Sequence, residues 1–253
     1  MNNIATLWSK PPKNLAISNQ EVHIWRIFID IDSPIIKTYL PILSIDEQEK
    51  ANRFRFPKDR NRFITVRSVL RKILGYYIEK NPRELKFDFN QYGKPFLNRN
   101  SSTTAIKFNV SHSHEIALIA VNQDFDIGVD VEYIHTNFDF EGIVERFFSA
   151  NEKNVWRSLP NYHKVEAFFN CWTRKEAFIK AKGKGLSLPL NEFDVSFKPG
   201  EPASLLNTAW DKKEVDDWSV EEIKPAYGYV GALAVEASNL EVKFWQWSDN
   251  CFL

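Results

Sequence analysis

The sequence predicts a mixed α/β (α+β) fold of two similar halves related by a pseudo-twofold axis, residues 1–124 and 125–253. Two observations support this prediction. In each half a strand-like run is followed by a capping box, a long amphipathic helix and further strands. The capping boxes begin at Ser44 and at Ser149, 105 residues later, and the long helices keep nearly the same offset. Repetition of this kind is typical of an internal duplication.

The elements of the first half follow from local patterns. Val22–Ile29 is a strand-like run, and Ser44 with Glu47 forms the capping box of a short helix. A longer helix is predicted from about Asp59 to Glu79, because its apolar residues recur at helical spacing. The sequence then predicts a turn at Tyr92-Gly93-Lys94-Pro95 and strands at Leu85–Phe89, Ile106–Val110 and Glu115–Val121.

The second half repeats this order. We expect a strand at Asp126–Tyr133, a capping box at Ser149 and Glu152, a helix from about His163 to Lys182 and a strand at Phe193–Phe197. Three further strands should complete the second sheet: Trp218–Ile223, Tyr229–Glu236 and Val242–Trp247. In the predicted alignment of the halves, Arg71 takes the place of Glu176, so we expect phosphate binders from the first half and metal ligands from the second.

Composition narrows the class of protein. Hydrophobic residues make up 43% of the 253 residues, which favours a folded protein over a disordered one. The chain has 33 basic and 33 acidic residues, so no global field attracts nucleic acid or a membrane. The stretch from Lys50 to Lys72 is locally basic, with Asp59 as its one acid. No signal peptide is evident, and two cysteines make no disulfide framework, so we expect a cytoplasmic protein.

The most informative residues are three carboxylates and a lysine. In a strand, Asp130 and Glu132 lie on one face, about 7 Å apart. Glu176 falls within the apolar stripe of the second long helix, where a bare carboxylate is costly to bury, and Lys180 follows one turn later. These oxygens suit a hard divalent cation such as Mg²⁺, held by Asp130, Glu132 and Glu176 beside an anionic substrate.

Ordinary alternatives exist for each of these motifs. Asp-x-Glu is common on solvated strand faces, and Glu-x-x-x-Lys is a common surface pair on helices. The metal interpretation depends on their occurrence together.

Several other groups could bind phosphate. Ser111 and His112 follow a strand-like run and can donate hydrogen bonds to phosphate oxygens. The further candidates are basic residues, whose alternative is solvated surface: Lys50, Arg53, Arg62 and Lys94. A zinc site at His112 and His114 is disfavoured, because neither cysteine has metal-site spacing. A basic rim of Arg174, Lys175, Lys182 and Lys184 could receive an acidic protein partner.

Taken together, a set of motifs resembles the 4′-phosphopantetheinyl transferases, in their order and spacing as well as in their residues. The set comprises Tyr92-Gly93-Lys94-Pro95, Phe108-Asn109-Val110-Ser111-His112-Ser113, Gly128-Val129-Asp130-Val131-Glu132, Phe147-Phe148-Ser149 with Glu152, and Trp172 to Lys180 running into Gly183-Lys184-Gly185-Leu186. Length and duplication resemble the Sfp type, a monomer of two similar halves, rather than the short trimeric holo-acyl-carrier-protein synthases.

The resemblance implies transfer of 4′-phosphopantetheine from coenzyme A to a serine of an apo acyl or peptidyl carrier protein, releasing adenosine 3′,5′-bisphosphate. It implies Mg²⁺, with Mn²⁺ as a substitute, at Asp130, Glu132 and Glu176. It also implies that Lys180 meets the pyrophosphate. The coenzyme A contacts would come from Lys50, Arg53, Arg62, Lys94, Ser111, His112, Asp130 and Lys180. Glu176 is the candidate base for the serine hydroxyl, with Lys180 as the second candidate.

Two residues depart from the family pattern. Glu47 stands where some relatives carry a lysine, and Phe63 replaces a small hydroxyl residue. Both changes remove groups that could contact the adenosine 3′-phosphate. Two alternative functions remain open at this point: a metal-dependent nuclease or phosphodiesterase, and a non-catalytic module that binds coenzyme A or carrier proteins.

Overall fold

The computed structural model describes residues 6–98, 105–137 and 139–251. The helices of this part of the chain are α1 (Ser33–Tyr39), α2 (Ile45–Asn52), α3 (Pro57–Tyr77), α4 (Phe140–Phe147), α5 (Ala150–Ser158) and α6 (Asn161–Lys182). Its strands are β1 (Glu21–Phe28), β2 (Phe87–Phe89), β3 (Pro95–Leu97), β4 (Ile106–Ser113), β5 (Ile116–Gln123), β6 (Ile127–Tyr133), β7 (Phe193–Val195), β8 (Leu205–Thr208), β9 (Ser219–Ile223), β10 (Tyr229–Val235) and β11 (Glu241–Gln246).

The two halves share one topology. The first sheet has the order β11-β1-β5-β4 and the second has the order β6-β10-β9. In the first half, β5 pairs antiparallel with both β1 and β4. In the second half, β10 pairs antiparallel with both β6 and β9 in the same way. Small two-stranded sheets, β2–β3 and β7–β8, occupy equivalent places after α3 and α6. The mixed α/β fold of two similar halves is confirmed.

The last strand does not belong where the sequence analysis placed it. β11 pairs in parallel with β1, from Glu21 opposite Glu241 to Arg26 opposite Gln246. It therefore extends the first sheet, and the expectation that it completes the second sheet is wrong. Alternation of side chains predicts a strand but carries no information about which open edge the strand will join.

Each half is fixed by a buried ion pair between its capping box and its long helix. Glu47 is 5% exposed and accepts a hydrogen bond from Arg71 Nε at 2.6 Å. Glu152 is 1% exposed and lies 2.8 Å from Lys175 Nζ. Arg71 is thus the counterpart of Lys175, so its predicted match with Glu176 is wrong by one residue. The connection from α2 to α3 is longer than that from α5 to α6, whereas α2 is one residue shorter than α5, so an offset counted from the capping boxes is one residue too large at the long helices.

Three apolar layers make up the core. One lies between α3 and the first sheet, one between α6 and the second sheet, and one between the two sheets. The third layer contains Val22, Ile24, Leu118, Val129 and Leu233, which alternate with residues that face the helices. The two halves are therefore joined face to face through an apolar interior.

The long helix α6 approaches β6 very closely at Gly128. A Cβ atom built at this position would lie 2.1 Å from the carbonyl oxygen of Ala177 and 2.4 Å from the amide nitrogen of Ala181. Only glycine lets the two backbones approach so closely. As a result, Glu176 and Lys180 on α6 lie over the β6 face that carries Asp130.

Candidate active site

The site is built where β4, β6 and α6 meet, and Asp130 lies at its centre. Asp130 is 3% exposed, and its Oδ1 accepts hydrogen bonds from Ser111 Oγ at 2.8 Å and from Lys180 Nζ at 2.5 Å. Lys180 Nζ also lies 2.9 Å from Ser111 Oγ. Three residues that are far apart in the sequence therefore form one polar cluster.

Alternate side chains of β4 connect the two halves at this point. Asn109 Oδ1 accepts from the amide of Val129 at 2.9 Å, and Ser113 Oγ donates to Glu132 Oε2 at 2.8 Å. With the Ser111 contact, these bonds run along β4 at every second residue, as strand geometry requires. The sequence analysis named Ser111 as a phosphate ligand, but it did not identify Asn109 and Ser113 as residues that hold β6. The alternating polar residues of an otherwise apolar strand were the available signal.

Glu132 and Glu176 complete an acidic cluster. Burial raises the pKa of Glu132, and the neighbouring Asp130 carboxylate raises it further. Burial also raises the pKa of Glu176 to about 7, with Asp130 and Glu132 contributing repulsion and Lys180 partly offsetting it. The three carboxylates therefore lie close enough to oppose one another's ionisation, which is the electrostatic situation that a cation would relieve.

The donor chemistry of this cluster fits a hard divalent cation. Its three carboxylates come from β6 and α6, and Asp130 Oδ2 is a buried oxygen with no hydrogen-bond partner among the described residues. Across these same residues, no group of three His, Cys, Asp or Glu side chains is already gathered around a single point as a complete ligand set. The fit therefore rests on the type of oxygen donor and on the unpartnered Oδ2.

His112 and Arg62 lie on the first-half side of the cluster. Partial burial lowers the pKa of His112, and the positive charges of Lys180 and Arg62 lower it further. The guanidinium of Arg62 makes two hydrogen bonds to Asp30, at 2.6 and 3.0 Å, and is held by this carboxylate. Lys180 and Arg62 thus make this side of the site electropositive, and the lowered pKa of His112 favours its neutral imidazole there.

The remaining predicted phosphate ligands have other environments. Lys94 Nζ donates to the carbonyl oxygens of Ile127 at 3.0 Å and Ala181 at 2.9 Å, and burial lowers its pKa to about 8. Lys50 is exposed, with its ammonium 5.3 Å from the centre of the Phe63 ring. The Arg53 side chain is 79% exposed and lies 3.9 Å from Glu49. Lys94 thus ties the β2–β3 region to β6 and α6.

The predicted basic rim was wrong for two of its four residues. Arg174 and Lys175 are 2% and 0% exposed, so they cannot form the predicted basic rim. Arg174 instead donates to the carbonyl oxygen of Ser196 at 2.6 Å. Glu47 is buried in the first half, where Arg67 and Arg71 both pair with its carboxylate.

Comparison with known proteins identifies the family. A model of the 4′-phosphopantetheinyl transferase superfamily matches residues 126–234, and a model of the N-terminal region of 4′-phosphopantetheinyl transferases matches residues 33–124. The 4′-phosphopantetheinyl transferase HetI of Nostoc sp. is 39% identical over 240 residues, covering 95% of this chain and 98% of that protein. The chain belongs to the 4′-phosphopantetheinyl transferase superfamily. A further relative, 4′-phosphopantetheinyl transferase Sfp of Bacillus subtilis, is 30% identical over 174 residues, covering 68% of this chain and 75% of that protein.

This membership confirms the predicted enzyme class, a transferase that moves 4′-phosphopantetheine to carrier proteins with coenzyme A as donor. Neither the nuclease nor the non-catalytic binding module is favoured. In the described part of the chain, no helix combines the length and the hydrophobicity needed to span a bilayer.

Proposed function

We propose that the cluster of Asp130, Glu132, Glu176 and Lys180 is the catalytic centre of this transferase and that Ser111 and His112 bind the phosphates of coenzyme A. The observation that best supports this is the convergence of Ser111, Asp130 and Lys180 within 2.9 Å of one another, although each comes from a different element. An ammonium group and a hydroxyl beside a row of carboxylates can position a pyrophosphate together with its counterion.

In this proposal, Lys180 contributes a fixed positive charge. Its Nζ donates to Ser111 Oγ and Asp130 Oδ1, and its side chain is 27% exposed. An exposed donor hydrogen on a held ammonium can bind a pyrophosphate oxygen and stabilise charge that develops on the leaving group. His112 lies on the same electropositive side and can donate a further hydrogen bond to a phosphate.

Glu176 is the proposed general base for the serine hydroxyl of the carrier protein. Lys180 is less suited to this role, because its ammonium already donates to two oxygen acceptors and would have to lose the charge that binds the pyrophosphate. Glu176 faces the β6 carboxylates from α6, and among the described residues its carboxylate forms no ion pair within 4 Å. A carboxylate in this position can accept one proton as the hydroxyl oxygen approaches phosphorus.

We also propose that Asp130, Glu132 and Glu176 would hold Mg²⁺, with Mn²⁺ as a substitute. When bound, the ion would neutralise pyrophosphate charge and polarise the phosphoryl group. The side chains would have the separate task of aligning this group: Ser113 holds Glu132, and Ser111 holds Asp130. Transfer of a phosphoryl group from one oxygen to another requires alignment and charge neutralisation more than covalent catalysis.

The finer parts of the functional prediction belong to the same proposal. Lys94, Lys50, Arg53 and Arg62 would contribute to the first-half side of the coenzyme A site, Lys94 by fixing the turn that borders it. The halves 1–124 and 125–253 would supply phosphate contacts and the catalytic carboxylates, respectively. We propose a cytoplasmic monomer, because one chain contains both halves and its two cysteines, Cys171 and Cys251, are free thiols.

The test is to incubate the purified protein with coenzyme A, Mg²⁺ and several apo carrier proteins and to weigh the carriers intact by mass spectrometry. We expect a mass increase of one phosphopantetheine that a chelator abolishes and that Glu176→Gln and Asp130→Asn reduce. Glu166→Gln is a matched control, because Glu166 is exposed on the same helix. Wild-type transfer by both site variants would refute the assignment of the centre. Absence of transfer to every carrier would contradict the choice of acceptors.

A further inference from the structure

The turn between β4 and β5 contains a histidine in a backbone conformation that favours glycine. Its two residues are His114 and Glu115, because Ser113 and Ile116 pair with each other on either side of it. The φ of His114 is +53°. Two-residue hairpin turns with a positive φ at the first residue usually have glycine there, since a Cβ atom crowds the backbone. Contacts with the rest of the protein must therefore stabilise this turn.

Two tyrosines of the second half supply these contacts. The imidazole of His114 stacks on the ring of Tyr133, with the ring centres 4.7 Å apart and the planes at 19°. Tyr133 packs edge to face against Tyr229, which is its direct partner in the β6–β10 ladder, at 5.1 Å between ring centres. The amide of Glu115 donates to the hydroxyl of Tyr229 at 3.1 Å. We call His114, Tyr133 and Tyr229 the turn cluster.

Gly228 leaves the space that the turn cluster occupies. A Cβ atom built on Gly228 would lie only 3.3 Å from Cε2 of Tyr133. The cluster is nevertheless partly open to solvent, since Tyr133 is 37% exposed and the side chain of His114 is 50% exposed. Burial in the core therefore does not account for a histidine at this position of the turn.

The junction between β4 and β6 depends on side chains rather than on backbone pairing. The two strands belong to different sheets. The amides of Val129 and Tyr133 on β6 donate to Asn109 Oδ1 at 2.9 Å and to Ser113 Oγ at 3.1 Å on β4. Side-chain oxygens thus take the place of the carbonyl oxygens that a paired strand would offer. Because Ser113 is the last residue of β4, its position depends on the turn that follows.

Ser113 connects the turn cluster to the acidic site. Its hydroxyl accepts from the amide of Tyr133 and donates to Glu132 Oε2 at 2.8 Å. Ser113 directly precedes His114, and Glu132 directly precedes Tyr133. The ring stack and the serine hydroxyl therefore join the same two segments of chain. Without the stack, the turn could move away from β6, and the Glu132 carboxylate would lose the donor that orients it.

We propose that His114 and Tyr133 are positioning residues for the transfer reaction. Their stacked rings hold the β4–β5 turn against the end of β6, so that Ser113 keeps the Glu132 carboxylate directed toward the cation site. The role belongs to the flat faces of the two rings and not to a charge or a hydroxyl, so phenylalanine at either position should preserve it. This inference rests on the proposed function, because it takes Glu132 as a ligand of Mg²⁺.

The test uses two pairs of variants and a control. His114→Gly removes the ring and relieves the backbone, whereas His114→Phe keeps a ring at the same place. Tyr133→Leu removes the second ring, whereas Tyr133→Phe keeps it. Glu79→Gly is the matched control, because Glu79 is an exposed residue with a φ of +52° just after α3. Circular dichroism and thermal melting establish that each variant is folded.

Two quantities are measured for each protein. Calorimetry gives the affinity for coenzyme A in Mg²⁺ and in a chelator, and the ratio of the two affinities is the gain that Mg²⁺ provides. Mass spectrometry of an apo carrier protein over time gives kcat and the KM for the carrier. A residue that only stabilises the fold would not change the gain from Mg²⁺ in a variant that remains folded.

We expect His114→Gly and Tyr133→Leu each to reduce the gain from Mg²⁺ and kcat by about tenfold, the low end of the cost of losing the support of a metal ligand. Their affinity for coenzyme A in chelator and their KM for the carrier should stay within about twofold of the wild type, because the phosphate-binding residues are unchanged. Both phenylalanine variants and Glu79→Gly should match the wild type in every quantity.

Folded His114→Gly and Tyr133→Leu variants with the wild-type gain from Mg²⁺ and the wild-type kcat would refute the inference. Phenylalanine variants as impaired as the ring-free ones would refute it too, since the ring face would then not be what matters. Both results leave the proposed function intact. A wild type that gains no coenzyme A affinity from Mg²⁺ and modifies no carrier would instead overturn the proposed function and this inference together.

Discussion

The acidic cluster should make the metal-free protein less stable than a variant that lacks one of its carboxylates. Burial and two neighbouring acids raise the pKa of Glu176 to about 7, from an ordinary value of 4.5. Its charged form is therefore disfavoured in the folded state, and its contribution to stability is present below pH 4.5 and is lost as the pH rises to about 7. At pH 8, in the presence of a chelator, the Glu176→Gln variant should be more stable than the wild type.

The expected gain in stability can be calculated from the raised pKa of Glu176. The pKa of Glu176 is about 7 in the folded state and 4.5 in the unfolded state, a difference of about 2.5. Each pKa unit is worth 1.36 kcal/mol, so ionised Glu176 lowers the free energy of unfolding by about 3 kcal/mol at a pH where it is ionised in both states. Glutamine keeps part of the cost of burying a polar group, so we expect a gain of ~1–3 kcal/mol in the free energy of unfolding. For a chain of this size, a gain near 2 kcal/mol raises Tm by about 4 to 8 °C.

The assay is urea unfolding followed by tryptophan fluorescence, with a chelator present, at several pH values from 4.5 to 8.5. The difference between variant and wild type should grow from pH 4.5 to about 7 and then level off. Adding Mg²⁺ should stabilise the wild type more than the variant, because an ion that binds only the folded state adds free energy in proportion to its affinity. Glu166→Gln should change stability by less than about 0.5 kcal/mol. A Glu176→Gln variant that is no more stable than the wild type at pH 8 without metal would refute this reasoning.

Three further predictions follow from the site and its supports. Asp130→Asn and Glu132→Gln should each reduce carrier modification at least about a hundredfold by mass spectrometry while thermal melting shows folded protein, since both remove charge that positions the transferred group. Gly128→Ala should lower the free energy of unfolding by about 1–3 kcal/mol and reduce transfer, because its Cβ would lie 2.1 Å from the α6 backbone. A variant that unfolds at the same urea concentration as the wild type would contradict this close approach. Lys175→Met should cost about 3–5 kcal/mol in urea unfolding, because it leaves Glu152 buried without a counterion, whereas Lys184→Met at an exposed position should be nearly neutral.

The sequence predicted the elements that depend on local patterns. The long helices were placed within two residues at Pro57–Tyr77 and Asn161–Lys182, and the capping boxes at Ser44 and Ser149 both form. Short elements were missed, including α1, α4 and β8, because three to eight residues carry too little periodicity to stand out from a loop. The sheet to which β11 belongs could not be read from its residues, since edge pairing depends on the rest of the fold.

For the candidate site, the sequence predicted the positions of the carboxylates but not their partners. The carboxylates of Asp130 and Glu132 could be placed on one face from strand alternation alone, and Glu176 from its position in an apolar stripe. Pairwise partners could not be inferred in this way. The pairing of Lys180 with Asp130 depends on the close approach of α6 to Gly128, and the burial of Arg174 and Lys175 depends on which face of α6 meets β7. Charge in a sequence does not distinguish a surface rim from an internal ion pair.

The duplication also relates the proposed acidic site of the second half to a different residue in the first half. If Arg71 and Lys175 are counterparts, the residue after each is also equivalent, and Glu176 corresponds to Lys72. Lys72 lies 3.3 Å from Asp249 and 4.2 Å from the centre of the Tyr39 ring, near the end of β11. The first half thus keeps the buried ion pair that fixes its long helix but carries a cation where the second half carries a carboxylate. At the position equivalent to Glu176, α3 therefore presents an ammonium group rather than a carboxylate, which agrees with the proposal that the carboxylates of the β6–α6 face hold the cation.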